Sequence, residues 1–272
     1  MLAMACSLQV SAQSDSIFYD GTAYSRRQVT EGTNVKMAGI GMTNILDTYI
    51  SPEKYTGTSV CYILLNDRKS RRYQGITYRL VHQGQIDYTR NRADNNNEMG
   101  GLYNFQYAVR CNWRILADRL LVSAGGGLDA NLGFLYNTRN SNNPAQARLS
   151  LNLAPSASLR YACMLWHKQC FLNYDVQFPL VGILFSPNYG QSYYEIFSEG
   201  NYDHNVVPTT FVSTPSVRQM LSFDFPLAHT WIRVGLTGDC QQAKINHLKY
   251  HNYTHALVIG IVRNFTLIHY KP

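Results

Sequence analysis

The sequence predicts an all-β fold, an antiparallel transmembrane β-barrel of ten strands, and three observations carry that prediction. First, residues 148–163, RLSLNLAPSASLRYAC, alternate Arg148, Ser150, Asn152, Ser156, Ser158 and Arg160 with Leu149, Leu151, Leu153, Ala157, Leu159 and Tyr161. A period of two means an extended strand with side chains leaving to opposite faces, and this run far exceeds the usual strand of about five or six residues. Second, no stretch of eighteen residues is apolar enough for a membrane helix. A membrane location then requires a closed barrel, in which every backbone group pairs between strands. Third, short joins alternate with long polar loops, as in barrels with short periplasmic turns and longer extracellular loops.

The ten strands are placed at 33–44, 56–66, 73–88, 99–113, 118–136, 146–163, 169–185, 213–225, 230–241 and 254–269. The fourth sets Met99, Tyr103, Phe105, Tyr107, Val109, Cys111 and Trp113 against Asn104, Gln106, Arg110 and Asn112. The fifth sets Leu120, Val122, Leu128, Leu132 and Phe134 against Ser123, Asp129 and Asn131, through Gly125, Gly126 and Gly127. Glycines there suit a tightly curved wall or a close approach to the backbone by bulky interior groups. Short joins fall at 67–72, 114–117, 164–168 and 226–229; long loops fall at 45–55, 89–98, 137–145, 186–212 and 242–253. Twelve strands result if 14–32 or 186–212 contributes more. Tyr73, Tyr88, Trp113, Tyr136, Trp166 and Trp231 lie near strand ends, where aromatic girdles form.

Composition narrows the function classes. The 24 basic residues exceed the 17 acidic ones, but the arginines are scattered singly through strands rather than massed on one surface, which argues against a nucleic-acid partner. Residues 1–13, MLAMACSLQVSAQ, carry no charge and end in a small-residue pattern, reading as a truncated secretory signal cleaved after Gln13. Ala3-Met4-Ala5 before Cys6 is a poor acylation box. Residues 14–32 then form a periplasmic N-terminal segment and 33–272 the barrel domain. The five remaining cysteines show no CxxC spacing, so neither a zinc site nor a disulfide scaffold is indicated, and no cofactor or metal is expected.

With the apolar face toward outer-membrane lipid, the lumen receives Arg79, Arg110, Asp129, Arg148, Arg160, Asp175, Arg218, Asp224, Arg233 and Asp239. Mixed signs allow pairing, which buried charges require. Long arginine arms crossing a narrow cylinder predict a filled interior, while their excess over carboxylates leaves a narrow anion-preferring path as an alternative.

The rim is the other candidate surface. The segment 186–216 carries Tyr193, Tyr194 and Tyr202, aromatic faces suited to a surface glycan or an envelope protein partner. Asp203-His204 in the same loop raises a speculative catalytic pair, since a carboxylate can orient an imidazole toward water or the hydroxyl of Ser198, Ser213 or Ser216. His247, His251 and His255 lie where the last long loop meets the final strand, but no nucleophile elbow or HExxH signature is present.

Three stretches also carry a family resemblance: GIGMTNILDTYISPEKYTGT at 39–58, NYGQSYYEIFSEGNYDHNVVPTTFVSTPSVRQM at 188–220, and GDCQQAKINHLKYHNYTHAL at 238–257. In these the chain resembles small uncharacterised outer-membrane barrels from Bacteroidota. The resemblance implies a location in the outer membrane of a Gram-negative bacterium and a barrel fold, and no catalytic residues. Two departures are the short signal and the C-terminal FTLIHYKP, which does not end in an aromatic residue. The leading expectation is a non-enzymatic barrel used for surface binding or association with an envelope complex. The alternatives are a rim-sited hydrolase of peptide, lipid or glycan and the narrow anion path.

Overall fold

The computed structural model describes residues 28–73, 75–140, 143–228 and 230–269, with side chains from 31 to 265 within those ranges. The expected signal at 1–13 and most of the expected segment 14–32 lie outside them. The described chain forms β1 (Gln28–Asp47), β2 (Ser51–Lys69), β3 (Ile76–Asn91), β4 (Asn97–Ile115), β5 (Leu120–Asn137), β6 (Ala145–Leu165), β7 (Lys168–Gln177), β8 (Val181–Phe185), α1 (Tyr193–Phe197), β9 (Val206–Thr210), β10 (Val217–Leu227), β11 (Thr230–Ile245) and β12 (Leu248–His269).

All strand pairs are antiparallel. β1 pairs with both β2 and β12, and the β5–β6 pairing closes the sheet on itself. Closure removes the unpaired edges that an open sheet would present. Twelve strands make only ten staves, because β8 continues β7 and β9 continues into β10. Along β6, Ser156 faces Gln177 of β7 and Leu153 faces Val181 of β8. The break falls at Phe178-Pro179-Leu180, where proline has no N–H to give to the ladder. The matching break at 211–216 holds a turn in which Ser213 and Thr214 N–H groups both donate to the Thr210 carbonyl. The barrel is thus a closed ten-stave cylinder with two extra strand segments.

Its outward face is apolar. Ile40, Val60, Ile86, Leu128, Leu132, Leu151, Leu153, Leu236, Leu257 and Ile259 are all exposed. A soluble protein does not encircle itself with such a band, and a hydrocarbon layer is the solvent that matches it. The protein is an outer-membrane β-barrel. Tyr88, Trp113, Tyr136 and Trp166 are exposed and lie toward strand ends, and Tyr73 is exposed in the β2–β3 turn. Trp231 departs from the girdle expectation. It is half-buried, packs against the interior apolar cluster, and meets Phe171 with ring centroids 5.4 Å apart. Its position on β11 shares the inward parity of Arg233, Thr237 and Asp239.

Two of the expected long loops are also corrected. Pairing of β11 with β12 continues to Ile245 opposite Leu248, leaving the two-residue turn Asn246-His247 with φ of 52° and 61°. That is the double left-handed geometry of a tight hairpin. The 45–55 loop likewise shrinks to 48–50 between β1 and β2. Above the membrane both strand faces are wet, so the apolar alternation that marks a strand fades while the backbone ladder persists.

Gly125 and Gly127 explain the curvature of the wall at β5. A β-carbon on Gly127 would sit 1.8 Å from the Tyr107 carbonyl oxygen, and one on Gly125 would sit 2.0 Å from that of Val109. β4 and β5 therefore approach more closely than side-chain-bearing residues allow.

Candidate functional site

The interior has two unlike halves. On β1, β2 and β12, Val35, Met37, Cys61, Ile63, Leu65, Ala256, Val258 and Val262 form a dry apolar cluster. The sequence hid this half, because SVCYILL at 59–65 is apolar on both faces. The rest of the interior carries the ion pairs, which form layers across the barrel and also draw on Asp47 of β1 and Asp67 of β2.

Nearest the extracellular end, Arg148 pairs with the fully buried carboxylate of Asp47, and its guanidinium carbon lies 3.3 Å from the centre of the Tyr250 ring. Next, Arg218 bridges Asp129 at 2.9 Å and Asp239 at 3.0 Å, and reaches the Asn131 amide oxygen at 3.2 Å. Below it Arg79 makes a forked contact with Asp67, 2.7 Å at each oxygen, and a second ion pair with Asp175. Arg110 donates to Ser158 Oγ at 3.0 Å and lies 3.6 Å from Asp175. Arg233 forks onto Asp224 at 2.6 and 2.7 Å. Arg160 lies with its guanidinium carbon 4.0 Å from the Phe171 ring centre. Planar guanidinium forks suit this work, since each satisfies two carboxylate oxygens at once.

Asp47 and Asp67 belong to the network, yet sequence reasoning missed them, having assigned them to a loop and a turn. The available signal was parity: Asp67 continues the inward series Ser59, Cys61, Ile63, Leu65.

Three cavities lie among these layers. The largest, about 350 Å³, is at the periplasmic end; two smaller ones, about 50 and 60 Å³, lie above it. Arg79, Arg110 and Asp175 line both the first and the second, and Arg218 lines both the second and the third.

The extracellular mouth is covered. Ile45, Tyr49 and Ile50 meet Leu135 of β5 and Leu248 of β12 in one apolar cluster, with Tyr193 packed on it. β1 and β5 stand four staves apart, so this cluster spans the opening. Tyr193 belongs to α1, a single helical turn set by a capping box: Ser192 Oγ accepts from Glu195 N–H, and Glu195 Oε2 accepts from Ser192 N–H at 2.7 Å. The Tyr193 hydroxyl accepts from Ala147 N–H at 2.7 Å and donates to Gln146 Oε1 at 2.9 Å. Tyr49 meets it edge-on at 5.8 Å and donates to the Gln191 carbonyl. Burial pushes both phenols above the ordinary tyrosine range.

Of the expected rim residues, Tyr193 is therefore a tether, half-buried in the lid. Tyr194 and Tyr202 are exposed, as are Tyr189 and Phe197 beside them. His204 Nδ1 lies 2.6 Å from Asp203 Oδ1, with both side chains mostly in solvent. Ser213 Oγ donates to the Thr210 carbonyl and Ser216 Oγ to that of Gln242, so neither hydroxyl is joined to the pair. The last hairpin does approach this loop, but through Asn246 Nδ2, which donates to the His204 and Ser186 carbonyls. His251 stacks on Tyr253 and contacts Asn44 Oδ1 at 3.0 Å. Among the described residues no group of three metal-ligating side chains converges.

The barrel is similar to the translocator domain of the autotransporter NalP from Neisseria meningitidis, at 9% identity and a TM-score of 0.38 over 91% of each chain. It is also similar to the transport unit of the autotransporter AIDA-I from Escherichia coli, at 9% identity and a TM-score of 0.34 over 96% of this chain and 95% of that one. Neisserial surface protein A shares 7% identity, with a TM-score of 0.33 over 85% of this chain and 96% of its own. No curated protein matches the chain. A family model described as "Protein of unknown function (DUF3316)" matches residues 1–272.

Proposed function

The chain belongs to the DUF3316 family of unknown function, and from that premise we propose a non-enzymatic outer-membrane barrel with a closed lumen, working through its extracellular rim. One observation carries this reading: the aromatic residues of the 186–205 excursion divide into two sets. Tyr193 and Ile196 anchor the excursion over the mouth, and Tyr189, Tyr194, Phe197 and Tyr202 stand exposed on it. Aromatic faces held on an anchored support bind at low entropic cost, and such faces are frequent at recognition surfaces. The ligand of this rim is a surface glycan or an envelope protein partner. The resemblance of residues 39–58, 188–220 and 238–257 to Bacteroidota barrels gives the envelope in which to look.

The experiment is gentle detergent extraction from the native outer membrane, followed by identification of stoichiometric components, with wild type and a Tyr194→Ala/Tyr202→Ala double variant in parallel. A component or bound glycan present with wild type and lost with the variant supports the rim reading. A lone barrel in both preparations, with steady conductance in planar bilayers, rejects it in favour of a channel.

A further inference from the structure

The periplasmic cavity of about 350 Å³ is far larger than those above it, and its polar wall contains unmatched donors. Six cationic side chains line it against three carboxylates, and Asp224 behind Arg233 supplies a fourth. Among the described residues Arg114 and Arg160 form no ion pair, so the lining carries a net positive charge; Arg160 is half-buried, and Arg114 is exposed at the cavity mouth. Among the described residues three buried nitrogens on it also lack an acceptor: Arg110 Nε, Arg160 Nε and Asn173 Nδ2. Arg110 is 4% exposed and Asn173 6% exposed, so solvent contact at the surface does not satisfy them. Buried donors without acceptors are costly, more so when charged, and are retained where something meets them.

The fold assembles this wall by register. Asn173 of β7 stands directly opposite Arg160 of β6, and Ser158, which takes the Arg110 hydrogen bond, stands opposite Asp175. Phe171 packs against the Arg160 guanidinium, whose carbon lies 4.0 Å from the ring centre. Val35, Leu65 and Phe265, from β1, β2 and β12, provide an apolar wall away from β6 and β7.

We propose that this cavity is a binding site, entered from the periplasm, for a phosphate monoester: a dianion with a small organic body. The net positive lining calls for an anion, and three orphan donors call for three acceptor oxygens. A phosphate monoester supplies about −1.5 to −2 charge with three strong acceptor oxygens, whereas a carboxylate supplies one charge and two oxygens. The apolar wall takes the organic body. The site is independent of the rim, and the Arg79–Asp175 and Arg218–Asp129 pairs lie between them.

The test is calorimetric titration of the full chain in detergent with inorganic phosphate, glycerol 3-phosphate and acetate, alongside phosphorus analysis of the purified protein. Wild type is expected to bind glycerol 3-phosphate more tightly than phosphate, and both more tightly than acetate. Arg160→Gln is expected to weaken the two phosphates about tenfold. Lys54→Gln, an equal loss of charge at the exposed opposite end, is expected to leave them unchanged. Asn173→Ser is the second variant should Arg160→Gln not fold, with loss in the same direction. Phosphorus that co-purifies with wild type and disappears in Arg160→Gln identifies the ligand as a lipid headgroup; binding without co-purified phosphorus identifies a soluble ester. No binding at millimolar phosphate ester together with no bound phosphorus, or equal binding by wild type, Arg160→Gln and Asn173→Ser, overturns the proposal.

Discussion

Arg148 is held between residues of the first and last strands: it pairs with Asp47 of β1, and its guanidinium carbon lies 3.3 Å from the ring centre of Tyr250 in β12. The carboxylate has no solvent contact of its own, so its charge is matched from within the barrel. Arg148→Gln removes that match and is expected to lower barrel stability by about 3–5 kcal/mol, the usual cost of leaving one member of a buried pair. Asp47→Asn combined with Arg148→Gln is expected to cost less than Arg148→Gln alone. Urea titration of the folded barrel, arranged as a double-mutant cycle, measures the coupling.

Gly127 and Gly84 make a matched pair of tests for wall curvature. A β-carbon on Gly127 collides with the Tyr107 carbonyl, whereas one on Gly84 meets nothing within 4 Å. Gly127→Ala is expected to destabilise by about 1–3 kcal/mol through forced backbone movement, and Gly84→Ala to be near neutral. Thermal unfolding followed on semi-native gels compares the two. Equal behaviour would remove the curvature account.

The ion-pair layers predict a gain of conductance on dilution of the plug. Among the described residues Arg218 is the one cation paired with Asp129 and Asp239, so Arg218→Ala leaves two carboxylates without a countercharge and clears the guanidinium between the two upper cavities. Wild type is expected to show little ion flow in planar bilayers. The variant is expected to conduct with a preference for cations, because the unmatched charge is negative.

Tyr193→Phe keeps the ring in the lid and removes its contacts with Ala147 N–H and Gln146. The loss is expected to be about 1 kcal/mol of local stability, seen as faster hydrogen exchange at 186–205 and an unchanged barrel.

Alkali should loosen the same lid. Burial raises the Tyr49 and Tyr193 phenols, so the folded lid favours their neutral forms. That stabilisation is complete below the ordinary phenol range and is lost as pH rises through the raised values. Phenolate absorbance is expected to show these two tyrosines ionising after the exposed ones, together with increased exchange of α1. Ionisation in step with exposed tyrosines would contradict the buried lid.

The period-two alternation of residues 99–113 and 148–163 by itself determined a membrane barrel, because strand side chains must leave to opposite faces and lipid accepts only one kind. It also determined which face each arginine of the inner network takes, since parity depends on neighbours two residues away. Which carboxylate each arginine meets was a tertiary matter: Asp67 and Arg79 are 12 residues apart, Asp175 and Arg79 are 96 apart, and only closure of the cylinder brings all three together. The same holds for the lid. Ile45, Tyr49 and Leu135 read as ordinary strand and loop residues, and they meet because β1 and β5 stand across a narrow mouth whose apolar cover excludes water. Strand ends above the membrane were hidden for a related reason, since backbone pairing needs no hydrophobic pattern once both faces of the sheet are solvated.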